Sequence, residues 1–270
     1  MSFSQLLSYF FTHKDYLPPA NELPGTMFTP LHFAFAAVLL AIVIFSAIFV
    51  SKRNERTIQT VMCAVWLFVT VGEAIKIVWE STTGEVVALP LGSLLPLYPC
   101  SIFIYAMPLA IFGKGVVRKM GCGYVCTLGF LGGAINFVYP ATVLGDYSCF
   151  SLAGFQTLFY HGAIVFCALV MLLSDYHSFK DAKKPIDLLI PAIPALCVSV
   201  VANTVNFSSV NSDYMFFKLK SLFFAPIGEA LPAPVCVIIV YIIYLVIHAL
   251  PYLPFYFSNT KKERAESITE

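Results

Sequence analysis

The sequence predicts an all-α protein, a polytopic membrane bundle of seven transmembrane helices with its N-terminus outside and its C-terminus inside. Two features of the composition predict this class. Hydrophobic residues make up 59% of the 270 residues, with a mean hydropathy of +0.83. Only 11% of the residues are charged, against about 25% in an average soluble domain. The net charge of +1 excludes the strongly basic surface of nucleic-acid-binding proteins. We therefore expect membrane lipids, and not nucleic acid, as partners.

Seven stretches of the chain approach the roughly 20 apolar residues that a membrane-spanning helix needs. Glycines interrupt the fourth stretch and prolines the sixth, which membrane helices tolerate where neighbouring groups satisfy the freed backbone. The predicted organisation is an extracytoplasmic or interfacial segment over residues 1–30, the seven-helix domain over 31–255, and a polar cytoplasmic tail over 256–270 that we expect to be disordered. The predicted spans are roughly residues 31–50, 58–79, 94–113, 121–140, 155–174, 187–205 and 234–255.

Lysine and arginine residues determine the predicted orientation. They concentrate in the connections after the first, third and fifth spans and in the tail, as in the pairs Lys52 with Arg53 and Lys183 with Lys184. The connections on the other side of the membrane carry few of them. Because positive residues favour the cytoplasmic side, the alternation predicts an N-terminus outside and a C-terminus inside.

Polar residues within the predicted spans gather at the outer ends of these spans. A polar side chain inside a membrane is costly and marks a candidate functional position. Five spans place such residues at one depth of the membrane, which predicts a cavity in the outer leaflet. The tyrosine, glutamine, glutamate and lysine side chains of this cavity are predicted to bind substrate. The polar residues at this depth are Glu73, Lys76, Tyr98, Cys100, Asn136, Gln156, His161 and Asn203.

Cys100 and His161 are the predicted catalytic pair. Proline is tolerated in the first turn of a helix, so span 3 is predicted to begin at Pro99 with Cys100 in its first turn. The positive field of a helix N-terminus stabilises a thiolate, which makes Cys100 a candidate nucleophile with His161 as its general base. Asn136 or Asn203 can donate a hydrogen bond to the oxyanion that forms.

Each candidate also has a purely structural interpretation, which the sequence leaves open. Cys100 can be a small core residue or form a disulfide with Cys149. His161 can simply hold span 5 against a neighbour, and His32 and His248 are weaker catalytic candidates. The glutamate and lysine of span 2 can neutralise each other, and the two asparagines can bond across helices.

Three motifs extend this interpretation: "LPLYPC" at the opening of span 3, "FYHG" in span 5, and "NTVNFSSVNSDYMFF" at the end of span 6. In order and placement they resemble the YwaF-like bacterial integral membrane family, which is related to the eukaryotic transmembrane protein 164 family. The most distinctive piece contains Asn211, Asp213, Tyr214 and Met215. The resemblance implies seven spans in a bacterial plasma membrane and, by analogy with the eukaryotic branch, acyl transfer between lipids through a cysteine.

The resemblance places the family's Pro-Cys pair at Pro99-Cys100 and its histidine at His161. Tyr98 stands where bacterial members often carry a histidine two positions before the cysteine. The eukaryotic pattern flanks Pro-Cys with a polar residue and a histidine, and these positions hold Tyr98 and Ser101. The acid–base surroundings of Cys100 are therefore predicted to differ from the family's pattern.

The function that the sequence favours is a membrane-embedded lipid acyltransferase or thioesterase that uses Cys100 in an outer-leaflet cavity. An acyl lipid is the expected substrate. We expect no cofactor and no metal, since the cysteines lack the close pairing of a metal site. Two alternatives stay open: a small-solute binding or transport protein with the same outer cavity, and a structural or signalling seven-span protein.

Overall fold

The computed structural model describes residues 3–85, 95–208, 212–219 and 225–269, and within these ranges every regular element is a helix. The predicted all-α class is therefore confirmed. A π-helical turn, Val125–Gly129, follows α5, and short 3₁₀ segments join other helices. The α-helices are α1 (Phe3–Ser8), α2 (Pro30–Ser51), α3 (Glu55–Thr83), α4 (Phe103–Phe112), α5 (Val116–Tyr124), α6 (Phe130–Asn136), α7 (Ala141–Leu144), α8 (Leu152–Leu173), α9 (Ile193–Ser208), α10 (Ala225–Ala230), α11 (Ala233–Ala249) and α12 (Leu253–Thr269).

The chain divides into two compact units. Unit 1 consists of Met1–Pro90 and Phe130–Leu173, and unit 2 consists of Leu91–Gly129 and Ser174–Glu270. Each unit is thus built from two separate stretches of the chain.

In unit 1, α8 is the central helix, and α2, α3 and α6 pack against it. α2 begins after Thr29, whose hydroxyl accepts a hydrogen bond from the backbone nitrogen of His32 at 3.3 Å, a common N-terminal cap. Gly162 of α8 faces α2, where an added Cβ would lie 3.4 Å from Val43 Cγ2, an ordinary contact distance. These contacts place the polar residues of α3, α6 and α8 within one unit.

In unit 2, α4 and α5 pack backbone to backbone. A Cβ added at Gly121 would lie 2.3 Å from the backbone nitrogen of Ala110 and 2.5 Å from the carbonyl oxygen of Ala106. α5 also contacts α9, and α11 contacts the π-helical turn. The helix that follows Cys100 is therefore held in place by a contact that only glycine permits.

Five helical stretches of the described ranges are long and apolar enough to cross a membrane, and α11 with α12, bent by 56°, forms a sixth if the pair crosses as one span. The predicted third span, residues 94–113, is helical only over Cys100–Phe112. A helix of that length rises roughly 20 Å, short of the hydrocarbon thickness of about 30 Å. Residue 94 itself lies outside the described ranges. The five stretches are Pro30–Ser51, Glu55–Thr83, Val116–Leu144, Leu152–Leu173 and Pro185–Ser208.

The prediction that the polar tail is disordered is wrong, because α12 continues to Thr269. Lysine, glutamate, arginine and alanine in this segment favour a helix. The helix is also bonded to an earlier part of unit 2, since the Asn259 side-chain amide donates to the carbonyl oxygens of Lys180 at 3.0 Å and Ala182 at 2.9 Å.

Candidate functional site

Cys100 is the first residue of a helix. A 3₁₀ turn, Cys100–Ile102, leads directly into α4, and the backbone nitrogen of Phe103 donates to the carbonyl oxygens of Cys100 and Ser101. Pro99 precedes the turn with helical φ and ψ of −52° and −43°. The predicted helix start at Pro99-Cys100 is therefore confirmed, and Cys100 is partly exposed there.

Three phenol side chains of unit 2 lie within electrostatic range of Cys100. Tyr98, Tyr124 and Tyr244 all interact electrostatically with its thiol. The Tyr124 hydroxyl donates to the carbonyl oxygen of Pro99, so it holds the residue that precedes the cysteine. Tyr124 and Tyr244 are buried. Sequence reasoning missed both, because no local motif distinguishes them among 14 tyrosines.

The segment 212–219 packs against Tyr98. Its Tyr214 ring lies 5.1 Å from the Tyr98 ring, centroid to centroid, and the Tyr214 hydroxyl accepts a hydrogen bond from the backbone nitrogen of Leu95 at 2.9 Å. Two motifs of the resemblance, "LPLYPC" and the Asp213–Met215 part of the third, are thus in contact. Asn211 of that third motif lies outside the described residues.

Asn206 of α9 fixes this segment. Its Oδ1 accepts from the backbone nitrogen of Tyr214 and its Nδ2 donates to the carbonyl oxygen of Tyr214, both at 2.8 Å. Met215 and Phe216 follow with φ of 59° and 56°, a left-handed conformation that residues with a side chain rarely adopt. Such strain persists only where surrounding contacts hold it, and the Tyr244 hydroxyl supplies one by donating to the carbonyl oxygen of Met215 at 2.7 Å.

A buried imidazole lies close to the Tyr124 ring. His248 of α11 is fully buried, its ring lies 5.4 Å from that of Tyr124, and its Nδ1 lies 2.6 Å from Thr127 Oγ1. Thr127 Oγ1 donates to the carbonyl oxygen of Gly123 at 2.6 Å, so Nδ1 is the donor of the His248 bond. Nε2 therefore carries the lone pair, and it has no hydrogen-bond partner within the described part of the chain.

In unit 1, three predicted polar residues form one cluster. Glu73 is buried, its Oε2 accepts from Gln156 Nε2 at 2.7 Å, and Lys76 Nζ lies 3.5 Å from the same oxygen. Glu73 and Lys76 therefore neutralise each other, as the structural interpretation of this pair has it, and Glu73 also bonds to Gln156 of α8. The cluster joins α3 to α8 as a largely neutralised group.

His161 of α8 is also buried in unit 1. Its Nδ1 lies 2.7 Å from the carbonyl oxygen of Thr157, and since a carbonyl only accepts, Nδ1 carries the proton and Nε2 the lone pair. Lys76 acts on this imidazole electrostatically. α6 packs closely against α8 at this position, because a Cβ added at Gly133 would lie 3.1 Å from the His161 carbonyl oxygen.

The two predicted oxyanion donors differ in their surroundings. Asn136, at the end of α6, has a buried Oδ1 with no hydrogen-bond partner among the described residues. Asn203 of α9 donates through Nδ2 to the hydroxyl of Tyr241 in α11 at 3.1 Å, and Ser199 lies 2.7 Å from the same hydroxyl. The Asn203 amide thus makes the bond across helices that its structural interpretation describes.

The predicted site residues form two groups. Tyr98, Cys100 and Asn203 belong to unit 2, and Glu73, Lys76, Asn136, Gln156 and His161 belong to unit 1. The pairing of Cys100 with His161 stays a prediction.

All eight cysteines lie in the described ranges, and none forms a disulfide. Burial raises the pKa of Cys149, the proposed partner of Cys100, to about 11, so Cys149 is a protonated thiol at neutral pH. The described residues also contain no group of three or more histidine, cysteine or acidic side chains able to hold a metal ion.

The TMEM164 family model matches residues 27–252 of the chain. The match includes every candidate residue and is compatible with the resemblance to the YwaF-like bacterial family. No curated protein and no solved structure matches the chain.

Proposed function

The chain belongs to the TMEM164 family, and we propose that it is a membrane-embedded lipid acyltransferase or thioesterase whose nucleophile is Cys100. One observation carries the proposal: a partly exposed thiol opens a helix whose start is fixed by Pro99 and Tyr124. A helix N-terminus favours the thiolate over the thiol. A structural cysteine of the core would instead be buried, as Cys149 is.

The reaction has two steps. In the first, the Cys100 thiol gives its proton to a general base, and the thiolate attacks the carbonyl carbon of an acyl ester. The tetrahedral oxyanion collapses, the C–O bond breaks, and the leaving alkoxide takes the proton from the base. In the second, a lipid alcohol or water attacks the thioester and releases Cys100. Covalent catalysis splits one difficult transfer into these two easier ones.

The assignments to the remaining candidates follow from their chemistry. His161 is the proposed base, since its Nε2 carries a lone pair. Asn136 and Tyr98 are the favoured hydrogen-bond donors to substrate or oxyanion, and Asn203 has the weaker claim because Tyr241 already accepts from it. Glu73, Lys76 and Gln156 are proposed to bind the lipid's polar part.

The proposal includes seven spans, an outer cavity, an N-terminus outside and a C-terminus inside, in a bacterial plasma membrane. The residues before Cys100 would complete the short third span. The distribution of lysine and arginine supports this orientation. Reporter fusions at each connection test it, and a reporter at the C-terminus that is active only outside the cytoplasm would contradict it.

The activity is tested with the full chain in liposomes that contain one phospholipid with a labelled acyl chain. We expect wild-type protein to release or transfer that chain, Cys100→Ala to abolish the reaction, and Cys149→Ala, the matched control, to retain it. His161→Ala should slow it by about 10²–10⁴-fold. Activity that survives Cys100→Ala overturns the proposal.

Small-solute transport is the alternative, and it rests on Glu73, Lys76 and Gln156. These side chains bond to one another, so a solute would have to replace the contacts they already make. Solute uptake by Cys100→Ala liposomes that is lost in Gln156→Leu would favour this alternative.

A further inference from the structure

Of the three tyrosines that interact electrostatically with Cys100, one has a hydroxyl without a hydrogen-bond partner among the described residues. The Tyr124 hydroxyl donates to the carbonyl oxygen of Pro99, and the Tyr244 hydroxyl donates to that of Met215. The Tyr98 hydroxyl makes no hydrogen bond to any residue of the described ranges, and Tyr98 is partly exposed. It is therefore a hydrogen-bond donor, two residues before Cys100, that a ligand can use.

The position of the Tyr98 ring is determined by the segment 212–219. Its neighbours are the rings of Tyr214 at 5.1 Å and Phe216 at 5.6 Å. Tyr214 is attached at three points: its hydroxyl accepts from Leu95, and Asn206 bonds both its backbone nitrogen and its carbonyl oxygen. The segment also holds three residues, Met215, Phe216 and Leu219, in strained left-handed backbone conformations. A side chain supported in this way is held in one orientation before substrate arrives.

We propose that Asn206 and Tyr214 are positioning residues, which hold Tyr98 so that its O–H donates to the oxyanion formed on Cys100. The inference rests on the proposed function. As the S–C bond forms, the carbonyl π electrons move onto oxygen, and the phenol hydrogen bond stabilises that charge without transferring its proton. When the carbonyl re-forms, the C–O bond to the leaving group breaks. Donors fixed beforehand are effective because they need no reorganisation during the reaction.

The test separates acylation, which needs an oxyanion donor, from alkylation, which does not. Acylation of purified full chain is followed as the burst of p-nitrophenolate released from p-nitrophenyl butyrate, and alkylation as the rate at which iodoacetamide modifies Cys100. Tyr98→Phe keeps the ring and removes the donor. We expect it to slow acylation by about 10²–10³-fold and to leave alkylation unchanged.

The positioning residues are tested in the same two assays. Asn206→Ala and Tyr214→Phe should slow acylation by about ten- to a hundredfold, the effect of a donor displaced by roughly 1 Å. Alkylation should stay at the wild-type rate. Thr204→Val, exposed on the same helix, is the matched control and should change neither rate. Tyr214→Phe keeps the ring and removes the hydroxyl to which the Leu95 backbone nitrogen donates, so it is the variant to use if Asn206→Ala does not fold.

A double variant distinguishes positioning from general support of the fold. Once Tyr98→Phe has removed the donor, adding Tyr214→Phe should slow acylation no further, because coupled residues are non-additive. Full additivity overturns the inference, and so does wild-type acylation in Tyr98→Phe. If wild-type Cys100 is never acylated, it is the proposed function that fails.

Discussion

Gly121→Ala tests the contact that holds the cysteine-bearing helix. The new Cβ would lie 2.3 Å from the backbone nitrogen of Ala110, whereas ordinary contacts begin at 3.4 Å. α4 and α5 would therefore have to separate by about 1 Å. Overpacking destabilises a protein by about 1–3 kcal/mol, and a clash with backbone belongs at the upper end of that range. Alanine stabilises a helix by about 1 kcal/mol relative to glycine, which offsets part of this loss. We expect a net loss of roughly 2 kcal/mol from these two terms.

The matched control is Gly132→Ala in α6, where an added Cβ meets no atom of the described residues within 4 Å. The assay is the temperature at which detergent-solubilised protein loses its monodisperse peak in size-exclusion chromatography. Gly121→Ala should lower it by about 4–8 °C, and Gly132→Ala should leave it unchanged or raise it by about 2–4 °C. If Gly121→Ala is as stable as Gly132→Ala, the backbone contact between α4 and α5 is wrong.

Three further predictions concern buried polar groups. Glu73→Ala should destabilise the protein by about 3–5 kcal/mol because Lys76 loses its buried partner, and thermal unfolding should show partial recovery when Lys76→Ala is added. Thr127→Val should cost about 1–3 kcal/mol by leaving His248 Nδ1–H unsatisfied, and equal unfolding temperatures for variant and wild type would contradict the bond. Burial lowers the pKa of His177, outside the spans, to about 4. The unfolded chain therefore gains a proton first as pH falls from about 6.5 to 4, stability declines across that window, and His177→Phe should show a smaller decline in unfolding temperature.

Local chemistry explains what the sequence predicts correctly. The helix start at Pro99-Cys100 follows from proline's lack of an N–H group. The contact between Glu73 and Lys76 follows from their spacing of three residues on one helix. Both features depend only on residues that are close together in the chain, so they can be predicted from the sequence alone.

The surroundings of Cys100 depend on distant parts of the chain, and sequence reasoning did not find them. Tyr124 of α5 and Tyr244 of α11 interact electrostatically with Cys100, and no spacing rule links them to it. Asn206 lies within a quoted motif, yet its bond to the Tyr214 backbone depends on how the segment after α9 folds back. The predicted bounds of the third span, residues 94–113, were also too long, since the apolar helix there covers only Cys100–Phe112.

Mass mapping of the protein after brief exposure to p-nitrophenyl butyrate at neutral pH tests directly whether Cys100 is the nucleophile. We expect one butyryl group, attached to Cys100 as a hydroxylamine-sensitive thioester and absent from Cys149. An intact Cys100 thiol after the ester has been consumed, or an acyl group found on a different residue, would contradict this expectation.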